Sequence, residues 1–397
     1  MDHTNTTERL FFLDWLRILA FALLVPYHVG MYYVTWDWHV TSAAASSFIE
    51  PLMQLSSPWR LSLLFFIGGA AVQALLRKNT AGFVGQRSRK LLWPLLFGML
   101  VIVPPQAYYE VVTKVAYVGS YLDFMQLYVQ AYHGFCRGTD CLTLPTWNHL
   151  WFLPYLWVYS MLGYLLARHA AAPLDAIVER LGRCKPWQLL ILPALPLIAA
   201  RMLVALFPTT HNLVWDWYNH AQSLSIFLIG MTFARSGALW GVLARLRWPA
   251  LGLALIAWVL LQGYYRAFAD VDPPTALRYA QRVLYGAMQW WAIAAACGFA
   301  RQHLNHDSAV RRALTPAVFC VYILHQTVIV LLTRVLLPLQ LPPVGEGLLL
   351  ITMTFGLCAI GYLLARHVPG LRLVLGINSK TAPKKPQSRQ FNPGLSS

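Results

Sequence analysis

Charge is what this sequence has least of: Asp, Glu, Lys and Arg make up 12% of 397 residues, and only 15 of them are acidic. Soluble domains run near a quarter charged. With 58% hydrophobic residues and a mean hydropathy of +0.51, the scarcity excludes a soluble enzyme and a disordered chain. Six cysteines are too few for a disulfide-stapled secreted module of this length. Also missing are an internal repeat, a G-x-G-x-x-G before a helix and a P-loop, which removes the familiar nucleotide cradles. The net charge of +16 is not gathered into one basic block of the folded body, so nucleic acid is not the partner it implies. What remains is a chain whose solvent is mostly lipid.

Apolar stretches long enough to cross a bilayer predict ten helices, near 11–34, 52–76, 91–110, 149–167, 187–207, 221–234, 249–268, 282–300, 314–336 and 347–365. The expected fold is all-α, a polytopic integral membrane helical bundle. With the N-terminus placed inside, twenty-two Lys and Arg face the cytoplasm, and four (Lys114, Arg137, Arg266 and Arg278) lie opposite, so both termini are expected to be cytoplasmic. Trp36, Trp38, Trp147, Trp151, Trp215 and Trp217 mark the interfaces. The first apolar stretch is too long for a signal peptide and carries charge, so it reads as a retained helix. Residues 9–370 form the expected membrane domain, and 376–397 a disordered basic cytoplasmic tail beside anionic lipid. Cys136 and Cys141 share the longest external segment, where a disulfide and two free thiols are both open readings. No His or second Cys pair stands at ligand spacing, so no metal is expected.

Ionisable residues inside spans are functional candidates, because each costs several kcal/mol unless paired or hydrated. They are Asp14, Arg17, His28, Arg60, His149, Arg201, Arg282, His325 and Arg334. Arg17 and His28 are eleven residues apart, which returns a helix to within about 20° of the same face some ~16 Å further along its axis. Asp14 lies one turn before Arg17 and can pair with it. One stripe thus holds a cation at the cytoplasmic mouth and an imidazole near mid-membrane. Blander readings stay open: a structural histidine bonded to a carbonyl, and an arginine snorkelling to headgroups. Pro26 favours a cavity, since it removes a helical donor two residues before His28.

Leu13-Asp14-Trp15-Leu16-Arg17, followed by ten residues and His28, resembles the arginine-x10-histidine signature of the membrane acyltransferase 3 family. Further pieces agree in order: Phe65-Phe66-Ile67-Gly68-Gly69, the basic Arg87-Ser88-Arg89-Lys90-Leu91-Leu92-Trp93-Pro94, His149-Leu150-Trp151-Phe152-Leu153 and Tyr322-Ile323-Leu324-His325. Gly68 stands where the family has Ser, and Lys90 where it often has Arg. The resemblance covers residues 9–370. Trp36 to Ser42, with Arg60 and Arg201, looks most like the glucan biosynthesis branch of that family.

The resemblance implies transfer of an acyl group (acetyl, succinyl or similar) from a cytoplasmic acyl-CoA-type donor to a hydroxyl of an envelope carbohydrate, in the cell inner membrane and with no bound cofactor. A neutral imidazole suits such chemistry near pH 7, so His28 acts as base or is itself acylated and passes the group on. Arg17, Arg87, Arg89 and Lys90 would hold the donor phosphates. For residues 87–90, charge that merely sets topology is the competing reading. His149 and His325 would line the central cavity. Arg60, Arg201 and Arg282 are candidates for an anionic acyl group or glycan, or for structural ion pairs with nearby acids; Arg334 reads as snorkelling. The rival from another class is a secondary transporter of a sugar or organic anion. Its usual two-fold similarity is missing here, as the charge of the first span has no counterpart five spans later. A membrane scaffold would leave the buried stripe unexplained. About 30 residues after the last span leave no room for a fused hydrolase-like domain in this sequence.

Overall fold

The computed structural model describes residues 10–78 and 80–377, so the basic tail expected from the sequence lies almost wholly outside the described residues. Helix α1 (Phe11–Tyr33) runs unbroken through Pro26. Short α2 (Glu50–Ser56) leads into α3 (Arg60–Lys78), and α4 (Phe83–Phe97) passes through a π turn at Gly98–Ile102 into α5 (Pro104–Lys114). The last two segments meet at a 44° bend. Pro104 and Pro105 open the new helix there, where a missing N–H costs nothing. Helix α6 (Tyr121–Val129) starts on a capping box of Ser120 and Asp123, which pair two backbone N–H groups reciprocally. A two-stranded hairpin, β1 (Cys136–Arg137) and β2 (Asp140–Cys141), is closed by the Cys136–Cys141 disulfide.

The chain then forms α7 (Phe152–His169), the surface helix α8 (Ala171–Arg183), α9 (Ala194–Met202), α10 (Trp217–Phe233), α11 (Gly237–Ala267) and α12 (Thr275–His303). Short α13 (Ala309–Leu314) precedes α14 (Val318–Leu336), α15 (Pro343–Ala365) and α16 (Pro369–Val374). All ten stretches picked out by hydropathy are helical, but they do not all qualify as simple spans. Among the described residues, eight helices are long and apolar enough to cross a membrane, nine if the bent α4–α5 pair is one span. The sixth stretch, α10, has 17 residues, because the chain before it is taken up by an irregular loop. The protein is an all-α, multi-pass membrane bundle.

Its core is aromatic. Phe66 packs against Phe233, Trp240 and Trp290 at ring separations of 5.7–6.1 Å. The Phe65-Phe66-Ile67-Gly68-Gly69 stretch is a helix contact: a Cβ on Gly69 would lie 1.9 Å from the Phe227 carbonyl oxygen, and one on Gly230 would lie 2.0 Å from that of Phe66. Backbone meets backbone between α3 and α10, and only glycine on both sides permits it. Opposite this core, Leu255, Ile256, Val259 and Leu260 of α11 and Leu363 and Leu364 of α15 point outward, the face a lipid solvent requires.

Candidate active site

Helices α1 and α14 pack side by side, and their facing stripes bring His28 and His325 together. His28 Nδ1 is 2.9 Å from His325 Nε2, and His325 Nδ1 is 2.7 Å from the Tyr322 carbonyl oxygen. A carbonyl only accepts, so His325 carries its proton on Nδ1 and offers a lone pair at Nε2. His28 must therefore donate from Nδ1, which leaves its own Nε2 as a lone pair. That nitrogen has no protein partner among the described residues, and His28 lines a cavity of about 610 Å³. The ring of Trp38 lies nearly parallel to the imidazole, 6.4 Å away.

Two further imidazoles of this network, His149 and His39, are occupied at both nitrogens. His149, 8% exposed, donates from Nε2 to the Ile323 carbonyl (3.1 Å) and accepts at Nδ1 from the Gln106 amide (3.3 Å). The Gln106 amide also donates to the Thr327 hydroxyl, itself bound to the Ile102 carbonyl. Gln106 Oε1 is thereby an acceptor, so the Gln326 group facing it at 3.0 Å is the amide nitrogen. The same nitrogen donates to His39 Nε2 (2.8 Å), and His39 Nδ1–H meets Glu110 at 2.5 Å. Three carbonyls thus set the tautomers of these four histidines, and of the four His28 alone keeps a lone pair without a protein partner. His39 and Glu110 form a dyad in the same vestibule that escaped the sequence reading. Glu110 closes the expected span 91–110 and looks interfacial there, and the amides of Gln106 and Gln326 register as neither charge nor motif.

Arg60 joins this cavity from the start of α3. It is 6% exposed, its guanidinium lies 3.0 Å from the centre of the Tyr27 ring, and its Nε and Nη1 lack a hydrogen-bond partner. No carboxylate pairs with it among the described residues. Arg201 stands apart from the cavity, on the ring of Tyr285 (3.8 Å) and donating to the Tyr218 hydroxyl (2.6 Å). Arg282 faces the Tyr279 ring at 5.4 Å, and Arg334 donates to the Thr113 hydroxyl. Aromatic faces and hydroxyls stand where the sequence left ion pairs with acids open.

The mouth is roofed by a loop tied down at Asp216. This fully buried carboxylate accepts from the Tyr155 hydroxyl (2.6 Å), the Asn219 amide (2.8 Å) and the backbone N–H groups of Thr210 and His211. Burial pushes the carboxyl up, but these donors outweigh it and hold it below the usual carboxylate range. The loop accepts left-handed backbone at His211 and Leu213. In return, the His211 ring stacks on Trp151 at 4.1 Å, and its carbonyl accepts from the Trp147 indole.

The opposite end of the bundle is basic. A cavity of about 310 Å³ is lined by Arg17, Phe21, Lys90, Arg311, Arg312 and Phe319, among others. A second, of about 610 Å³, has Lys78, Arg87, Arg89, Lys90 and Arg372. Lys90 belongs to both. Asp14 lies 3.4 Å from Arg17 but only 2.5 Å from Arg311, so the stronger pair is with a residue 297 positions away. Arg311 and Arg312 also grip Asp307 and hold its carboxyl down to about 2. Arg87 donates to the Ser160 hydroxyl of α7 (3.0 Å). Arg311, Arg312 and Arg372 fall in connecting segments, where the sequence shows only charge outside the spans.

The acyltransferase domain family matches residues 10–363. The glucans biosynthesis protein C of Salmonella typhimurium and that of Salmonella typhi are each 28% identical over 99 residues, which is 25% of this chain and 26% of either relative. The chain therefore spans about a quarter of the length of the curated relatives it matches. No solved structure matches. A family match over nearly the whole length weighs against the transporter reading: the chain belongs to the acyltransferase 3 family and carries its acyltransferase domain in a multi-pass membrane bundle.

Proposed function

We propose that this protein moves an acyl group from an acyl-CoA-type donor, held at the basic end, to a hydroxyl of an envelope carbohydrate that enters beneath the Asp216 loop. In this reading the basic end faces the cytoplasm and the protein lies in the inner membrane, as the distribution of Lys and Arg favours. The observation that carries the proposal is the lone pair of His28 Nε2, left open to a cavity by a chain of hydrogen bonds that ends on the Tyr322 carbonyl.

Two steps use that lone pair. As a base, Nε2 takes the acceptor's hydroxyl proton while the oxygen attacks the thioester carbon. The C–S bond then breaks and the proton passes to the departing sulfur. As a nucleophile, Nε2 attacks the thioester carbon, the C–S bond breaks to release CoA thiolate, and Nδ1–H moves toward His325 Nε2. The acceptor hydroxyl then displaces the acyl group from Nε2, and its proton passes through the freed imidazole to the thiolate. His325 is a positioning residue in both: it holds the ring and supports the positive charge. Arg60 supplies a desolvated cation beside the reacting carbon, suited to negative charge on the acyl group or on the acceptor. Arg17, Arg87, Arg89 and Lys90, joined by Arg311, Arg312 and Arg372, hold the donor phosphates. Sugars bind through aromatic faces and amide or hydroxyl groups, and Trp38, Trp147, Asn148 and Asn212 at the mouth offer both. The similarity to glucans biosynthesis proteins supports a glucan-like acceptor.

Mass spectrometry of envelope glycans from cells with and without this chain tests the reading. An added acyl mass that disappears with the chain, and with His28→Ala, is expected. Identical glycan masses in all three would reject it.

A further inference from the structure

The basic cavity and the His28 cavity lie on one seam. On α1 the stripe is Arg17, Phe21, Leu24 and His28; on α14 it is Phe319, Tyr322 and Gln326. Phe21 and Phe319 belong to the walls of the basic cavity, and Leu24 and Tyr322 to those of the His28 cavity. At 1.5 Å per residue, Phe21 stands about 6 Å and Leu24 about 10 Å beyond Arg17 along the axis, so the partition is about one side chain thick. Its substance is a ring pair, Phe21 on Tyr322, with centroids 5.2 Å apart.

The members of this partition are not equally held. Tyr322 donates its hydroxyl to the His149 carbonyl (2.7 Å) and is flanked by the rings of His149 and His325. Phe319 is backed by the turn at Gly376, where a Cβ would come within 2.3 Å of its ring. Phe21 has no polar anchor and borders open volume on the basic side.

Resting on the reading above, we propose that Phe21 is the specificity-determining gate of the donor path: its ring closes the seam at rest and swings aside for the narrow thioester arm of the donor. The closed ring keeps water from the thioester and ions from crossing the bundle. The width it yields selects donors whose arm is a thin, flexible chain carrying a small acyl group.

Proteoliposomes holding the wild type, Phe21→Ala, Phe21→Leu and Phe21→Trp, each checked for the wild-type elution profile, provide the test. An internal pH dye reads proton leak, and free thiol reads CoA release from acetyl-CoA and from a bulkier benzoyl-CoA, with and without glucan. Phe21→Ala is expected to raise the leak and the glucan-independent CoA release several-fold and to narrow the preference for acetyl-CoA; Phe21→Leu should do so less. Phe21→Trp should cut CoA release by roughly tenfold or more, because the larger ring cannot clear the path, while CoA itself still binds. Leak and acyl preference equal to wild type in both Phe21→Ala and Phe21→Trp would overturn the gate. If the wild type releases no CoA from either thioester, the donor assignment fails, and the leak comparison alone still decides whether Phe21 seals the seam.

Discussion

The two ends of the α1–α14 seam are built on opposite rules. Around His28, the nitrogens of four imidazoles and the amides behind them are matched by definite donor or acceptor roles, and the lone pair of His28 Nε2 is left over. Around Arg17, cations crowd a few carboxylates: Arg17, Arg311 and Arg312 share Asp14 and Asp307, with Arg87, Arg89 and Arg372 close by. A satisfied network specifies geometry before substrate arrives. A cationic surplus is completed only by an anion. The first end is suited to moving a proton, the second to gripping phosphates.

The histidine end is the more sensitive of the two. His325→Ala removes the acceptor for His28 Nδ1–H, frees the ring to take the wrong tautomer, and should lower kcat by about 10–100-fold with KM little changed. His149→Ala at the same depth should cost less, since His149 touches His325 only ring to edge. Equal losses would mean that the tautomer chain does not set activity. At the other end, Arg17→Lys keeps the charge and loses the planar fork. It should raise the KM for donor several-fold, more at high salt, and leave the KM for acceptor alone; a parallel rise in both would make Arg17 structural.

The smallest effect lies in the roof. Asp216→Asn removes a buried carboxylate bound by four donors, worth roughly 1.5–3 kcal/mol of folding stability. Because the folded carboxyl is depressed, its contribution is present above the unfolded value of about 3.9 and is lost as pH falls through the lower folded value. Thermal unfolding in detergent should show the variant less stable than wild type at neutral pH, with the gap closing below about pH 4. A pH-independent gap would point to packing alone.

Much of this was legible in the sequence. Long apolar stretches located the helices, and the Arg17–His28 spacing placed a cation and an imidazole on one stripe, because both depend on local periodicity. The sixth stretch, 221–234, already read as short, and α10 begins at Trp217; the bend at Pro104 was not legible, since it depends on what the neighbouring helices do. Of the partners of Asp14, spacing offered Arg17, which pairs with it at 3.4 Å, and only the fold could add Arg311. Gly69 read as part of a signature, and the fold uses it as a crossing point. The His39–Glu110 dyad and the amide chain behind it join four separate segments, a juxtaposition no single-chain pattern carries.

In the proposed reaction His28 does the chemistry between two sides of a membrane. Its most direct test is a sided one: acetyl-CoA supplied only at the basic face of oriented vesicles, and glucan only inside. Wild-type protein should yield acetylated glucan in the lumen and free CoA outside in equal amounts, and His28→Ala, folded and inserted to the same extent, neither. Acetylated glucan at the wild-type rate from His28→Ala would contradict the account.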